Sequence, residues 1–134
     1  MATVKKFEDL EMWRKSRILC TGIFEIMNCE KFSRDYKLKD QINGSGGSVM
    51  DNIAEGFDRG SRLEFLNFLS IAKGSAGEVK SQLYRALDRG YINSDKFDEL
   101  YLLAEEISKM IGSFMDYLNK SNIKGTKFKG RTGN

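Results

Sequence analysis

The chain has 134 residues, 40% of them hydrophobic, with no proline, no histidine and two cysteines. That length suits one domain, and the missing histidine removes the commonest general base and metal ligand, which argues against a hydrolase or a metalloenzyme. The net charge of +3 is uneven: the last fifteen residues hold Lys120, Lys124, Lys127, Lys129 and Arg131 and no acid, leaving 17 basic against 19 acidic residues in the other 119.

Residues 1–8 form a short lead-in with Phe7 as the first expected core contact. Charges but no apolar stretch mark this terminus, unlike a signal peptide. No run approaches the roughly 18 apolar residues of a membrane span. The chain therefore reads as a soluble, cytoplasmic protein with no membrane partner. The lack of proline favours long unbroken helices, because proline removes a helical hydrogen bond and clashes with the preceding turn.

A first helix is predicted from Asp9 to Cys29, with Leu10, Trp13, Cys20, Phe24 and Met27 on one face and Ile23 and Ile26 widening it. Cys20 and Cys29 would lie ~13 Å apart on that helix, too far for a disulfide, so both are expected to be reduced and packed. Glu30 to Arg34 makes a connection short enough to force an antiparallel return. Ser33 or Asp35 can cap the second helix. There Leu38, Ile42, Ser45, Val49, Ile53 and Phe57 keep helical spacing across Asn43-Gly44-Ser45-Gly46-Gly47-Ser48. Each glycine costs about 1 kcal/mol against alanine in a helix, yet the unbroken periodicity predicts a continuous helix whose glycines admit a close neighbour. A kink is the alternative.

Phe57-Asp58-Arg59-Gly60 ends that periodicity, and Ser61 with Glu64 fits a capping box for the third helix. This helix is predicted over Arg62 to Arg89, with Phe65, Leu69, Ala72, Ala76, Val79, Leu83 and Ala86 inward. Gly90 suits the left-handed position that ends a helix, and Asn93 or Ser94 can cap the fourth. In helix four, Phe97, Leu100, Ala104, Ile107, Ile111, Phe114 and Leu118 alternate in steps of three and four, an a/d seam. From Lys120 onward little can be buried, and a disordered basic tail is expected. The expected architecture is all-α: an antiparallel up-down-up-down four-helix bundle over residues 1–119, followed by the tail at 120–134.

Polar residues near the inner stripes, Gln41, Ser45, Ser48, Asn52, Glu55 and Ser75, predict a hydrogen-bonded layer between helices two and three that sets their register. No carboxylate–histidine pair and no phosphate-binding loop occurs, so no cofactor, metal or catalytic residue is expected. Basic residues gather in two places. Arg14, Lys15 and Arg17 occupy about one turn of helix one. Arg59, Arg62, Lys73, Lys80, Arg85 and Arg89 exceed Glu64, Glu78 and Asp88 on and before helix three. Helix four is acidic. In a ring of copies, basic faces would add their fields.

The stretch Gln41-Ile42, Ser48, Asn52-Ile53-Ala54-Glu55-Gly56-Phe57, Glu64-Phe65 and Ile71-Ala72-Lys73-Gly74-Ser75 with Glu78 resembles the four-helix-bundle family of 23S ribosomal RNA intervening-sequence proteins. The likeness covers nearly all of residues 7–118, including Leu10, Trp13 and Gly90-Tyr91-Ile92. It implies a link to RNA, through relatives encoded inside ribosomal RNA genes, and no established enzymatic activity. It also implies a homo-oligomer, most simply a pentamer, since a related branch of retroelement accessory proteins forms rings that contact a reverse transcriptase and nucleic acid. Asn43 and Gly44 stand where relatives often carry arginine, which removes positive charge from helix two. The expected function is non-enzymatic nucleic-acid binding through phosphate contacts. Arg14, Lys15, Arg17, Arg59, Arg62, Lys80 and Arg85 would carry it, with Lys124, Lys127, Lys129 and Arg131 of the tail. The alternative is a scaffold or accessory subunit for a nucleic-acid enzyme such as a reverse transcriptase, without direct RNA contact.

Overall fold

In the computed structural model, residues 4–120 are described, and the expected tail cations Lys124, Lys127, Lys129 and Arg131 lie outside them. Four helices account for most of these residues: α1 (Glu11–Met27), α2 (Tyr36–Asp58), α3 (Arg62–Asp88) and α4 (Ser94–Lys120). Single 3-10 turns at Phe7–Asp9 and Phe32–Arg34 precede α1 and α2.

The helix ends follow local chemistry. The Asp35 carboxylate accepts from the Leu38 amide at 3.1 Å, and Asn93 Oδ1 accepts from the Lys96 amide at 2.8 Å; each satisfies an orphan donor of a first turn. Ser61 Oγ accepts from the Glu64 amide at 3.3 Å. The reciprocal half of the expected capping box is absent, because the Glu64 carboxylate turns to Arg59 at 3.6 Å instead. Gly90, at φ +73°, closes α3. Its amide donates to Leu87 O at 3.0 Å and that of Tyr91 to Ala86 O at 2.9 Å, the paired bonds of a Schellman end.

Each helix packs on two neighbours, in the cyclic order α1, α2, α3, α4. Consecutive helices run antiparallel. Gln41, Ser48 and Gly56 of α2 meet Arg85, Ser75 and Phe68 of α3 respectively, and Lys80 and Arg62 of α3 meet Glu105 and Leu118 of α4. The predicted inward residues of α2, α3 and α4 are all buried. On α1 the face differs. Met12, Ser16, Leu19, Ile23 and Ile26 point inward, whereas Phe24 is 61% exposed. The stripe is turned because Gly22 lets Leu100 approach and Ile23 fills the space beside Gly46.

The glycine-rich centre of α2 is continuous helix. Only Gly46 of its three glycines faces a neighbour: a Cβ there would lie 2.7 Å from Ile23 Cδ1, while Gly44 and Gly47 face open space.

Candidate nucleic-acid interface

Seven of the cations expected to bind nucleic acid lie in the described residues, and they do not form one face. Four are neutralised within the chain. Arg14 donates to Glu8 O at 2.8 Å and lies 3.8 Å from both Asp9 and Glu11. Lys15 turns across to Glu106 of α4 at 3.3 Å. Arg59 holds Glu55 at 2.7 Å and Glu64 at 3.6 Å, and lies over the Phe68 ring. Lys80 bonds Glu105 at 2.6 Å and lies over Tyr101. That bond holds the Glu105 carboxyl below the usual range.

Arg17, Arg62 and Arg85 have neutral partners instead. The Arg17 guanidinium lies 6.0 Å from the Trp13 ring centroid. Arg62 donates to Leu118 O at 3.3 Å, where a cation complements the carbonyl end of α4. Arg85 donates to Gln41 Oε1 at 3.0 Å. Among the described residues no carboxylate lies within 4 Å of any of the three. Arg62 and Arg85 sit about 34 Å apart along α3 at helical rise, so each offers a separate contact.

The polar layer between α2 and α3 is smaller than its sequence suggests. Ser75 Oγ donates to Ser48 Oγ at 2.9 Å, and Asn52 Nδ2 donates to Ser48 Oγ at 2.9 Å and to its carbonyl at 2.8 Å. Ser45 bonds back to Gln41 O within α2. Gln41 is exposed at the rim, and Glu55 is exposed and paired to Arg59, so neither belongs to the layer. Both sit on the outer edge of the α2 face, where solvent reaches long side chains.

Sequence reasoning missed Gln82, which is 9% exposed with its Oε1 buried and unpartnered. Trp13, expected on the inner face of α1, packs partly buried against the core and also carries Arg17 beside its ring. Burial, with the Asp51 charge secondary, pushes the Cys20 thiol up to about 11; it donates to Gly46 O at 3.2 Å. Cys29 is exposed, against expectation, because α1 ends at Met27.

Among the described residues no group of His, Cys, Asp or Glu is placed to hold a metal ion, and no helix is long and apolar enough to cross a membrane. Residues 8–113 match the model of the family described as 23S rRNA-intervening sequence protein. A solved structure with the same fold is a protein of unknown function from the S23 ribosomal protein family of Bacteroides thetaiotaomicron. It is 26% identical, with 78% of this chain and 97% of that one covered, at a TM-score of 0.72. No protein of curated function matches the chain.

Proposed function

Because the chain belongs to the 23S rRNA-intervening sequence protein family, we propose that it acts as a non-enzymatic, cytoplasmic, homo-oligomeric bundle that binds RNA weakly through phosphate contacts. The observation that carries this reading is the set of arginines without carboxylate partners, Arg17, Arg62 and Arg85. An uncompensated guanidinium attracts a phosphate, whereas Arg59 or Lys80 would first have to release its own carboxylate. Separated contacts of this kind position a backbone and read no bases. A pentameric ring would repeat each contact around its axis.

The test is a titration of labelled single-stranded RNA with the full chain at two salt concentrations. Affinity should fall steeply with salt, by about 0.7 in log–log slope for each phosphate neutralised. Absence of binding at low salt overturns the reading. A mass measurement giving a monomer at micromolar concentration contradicts the ring.

A second reading, a protein-interaction scaffold for a nucleic-acid enzyme such as a reverse transcriptase, draws on the outer faces of α1 and α4. Ile18 and Leu102 are 60% and 65% exposed there, and Leu102 and Met110 line a shallow groove with Glu105, Glu106 and Lys109. Retention of a reverse transcriptase by the chain, with no RNA binding, would favour it.

A further inference from the structure

The outer surface of α1 carries a groove that the family resemblance does not account for. Trp13, Arg14, Arg17, Ile18 and Thr21 line it. Trp13, Arg17 and Thr21 follow one another at successive helical turns, so they form a single ridge. Phe7 meets Trp13 edge-on at 5.0 Å and steadies the ring. Trp13 is only partly buried, and its indole N–H has no hydrogen-bond partner among the described residues and is not buried. Arg17 lies at the outer limit of cation–π contact with that ring.

Three features of this groove point to one kind of ligand. The Trp13 ring is partly buried with the Arg17 guanidinium over it, so a nucleobase stacks there as that guanidinium swings out, and such stacking is worth about 1–3 kcal/mol per base in single-strand binders. The adjacent guanidinium carries an unneutralised charge and reaches the phosphate beside that base. The indole N–H, neither buried nor hydrogen-bonded among the described residues, adds a donor that a phosphate or base oxygen can accept. A protein partner would use the aromatic face but leaves the Arg17 charge without a counter-ion unless it brings a carboxylate. A duplex would use the charge but hides its base faces in the stack.

We infer that the Trp13–Arg17 groove of α1 binds a single-stranded nucleic-acid segment, one base stacked on Trp13 and its neighbouring phosphate on Arg17. This rests on the nucleic-acid reading above and sharpens it to one site.

Trp13 is the sole tryptophan, so its fluorescence in the full chain reports on this groove directly. A short oligouridylate and the matching oligothymidylate are titrated in turn, with the anisotropy of a labelled copy followed in parallel. Saturable quenching of Trp13 that tracks the anisotropy curve is expected. Quenching by both oligonucleotides leaves the site one for single strands in general, and quenching by oligouridylate alone assigns it to RNA. The variant W13L should weaken binding about 5- to 150-fold, the loss of one stacked base, while W13F, which keeps a ring face and the fold, retains most of the affinity. R17Q should weaken binding and flatten its salt dependence. An anisotropy change without a Trp13 response overturns the site but leaves the nucleic-acid reading standing. No anisotropy change overturns both. A Trp13 response that follows protein concentration in the absence of oligonucleotide makes the groove a contact between copies and overturns the inference.

Discussion

The Tyr91 hydroxyl donates to Asp35 Oδ2 at 2.8 Å, joining the end of α3 to the start of α2 across 56 residues of sequence. The same carboxylate accepts from Arg89 at 2.9 Å and from the Leu38 amide at 3.1 Å, and Tyr91 stacks on Phe32. One acidic side chain thus caps a helix and fastens its neighbour.

This arrangement makes stability depend on acid. The Tyr91 hydrogen bond, then the Leu38 amide and Arg89, hold the Asp35 carboxyl below its ordinary value. A carboxyl lowered in the folded state contributes fully above its unfolded value, and the contribution is lost as pH falls through the folded one. The wild type should therefore resist urea better than D35N at neutral pH, and the gap should close as pH drops below the ordinary aspartate value of about 3.9. A gap of constant size at all pH values would show that the charge is irrelevant.

The glycines of the bundle divide by what faces them. A Cβ on Gly56 would lie 2.6 Å from Phe68 Cβ, an atom next to the backbone that cannot swing away. G56A should lose about 1–3 kcal/mol to overpacking. Gly44 and Gly47 sit in continuous helix facing open space, so G44A and G47A should each gain roughly 0.5–1 kcal/mol. Denaturant midpoints of the three variants check both signs.

Two polar residues in the bundle should respond oppositely to removal. Ser48 accepts from both Ser75 and Asn52; Asn52 keeps the Ser48 carbonyl in S48A, but Ser75 is stranded, which should cost about 1–3 kcal/mol. Gln82 buries an acceptor with no donor, so Q82L, similar in size, should be neutral or stabilising by roughly 1 kcal/mol. Destabilisation by Q82L would mean that its oxygen has a partner in solution.

The two thiols should differ in reactivity. Burial holds the Cys20 proton, with a pKa near 11, and Cys29 is exposed. The thiolate is the reactive form. Native protein should therefore consume one equivalent of an aromatic disulfide reagent quickly, and a second only on unfolding. The variant C29S should abolish the fast phase.

Much of this fold was legible because the inner stripes of α2, α3 and α4 keep unbroken helical spacing, while Leu63, Ile71 and Leu102 lie off them and stay exposed. In α4 the seven residues from Phe97 to Leu118 define the face alone. Helix α1 misled because Ile18, Cys20, Ile23, Phe24, Ile26 and Met27 surround it almost completely. The choice is made by Leu100 over Gly22 and Ile23 over Gly46, contacts brought from distant helices. The cations were hidden for a related reason. Lys15 and Lys80 find Glu106 and Glu105 across helix pairs, and their pairing depends on a register that composition does not reveal. Arg59, by contrast, has Glu55 four residues earlier, a pairing visible in the sequence and outweighed there by the count of nearby cations.

The difference between paired and unpaired cations is tested most directly by the salt dependence of RNA affinity in two full-chain variants. R17Q/R62Q/R85Q removes the three cations without carboxylate partners, and R14Q/R59Q/K80Q removes three that have them. Both lose the same net charge. The log–log slope should flatten by about 2 in the first, at about 0.7 per phosphate, and hardly change in the second. Equal flattening in both would contradict the account, because cations held by carboxylates would then reach phosphate as readily as free ones.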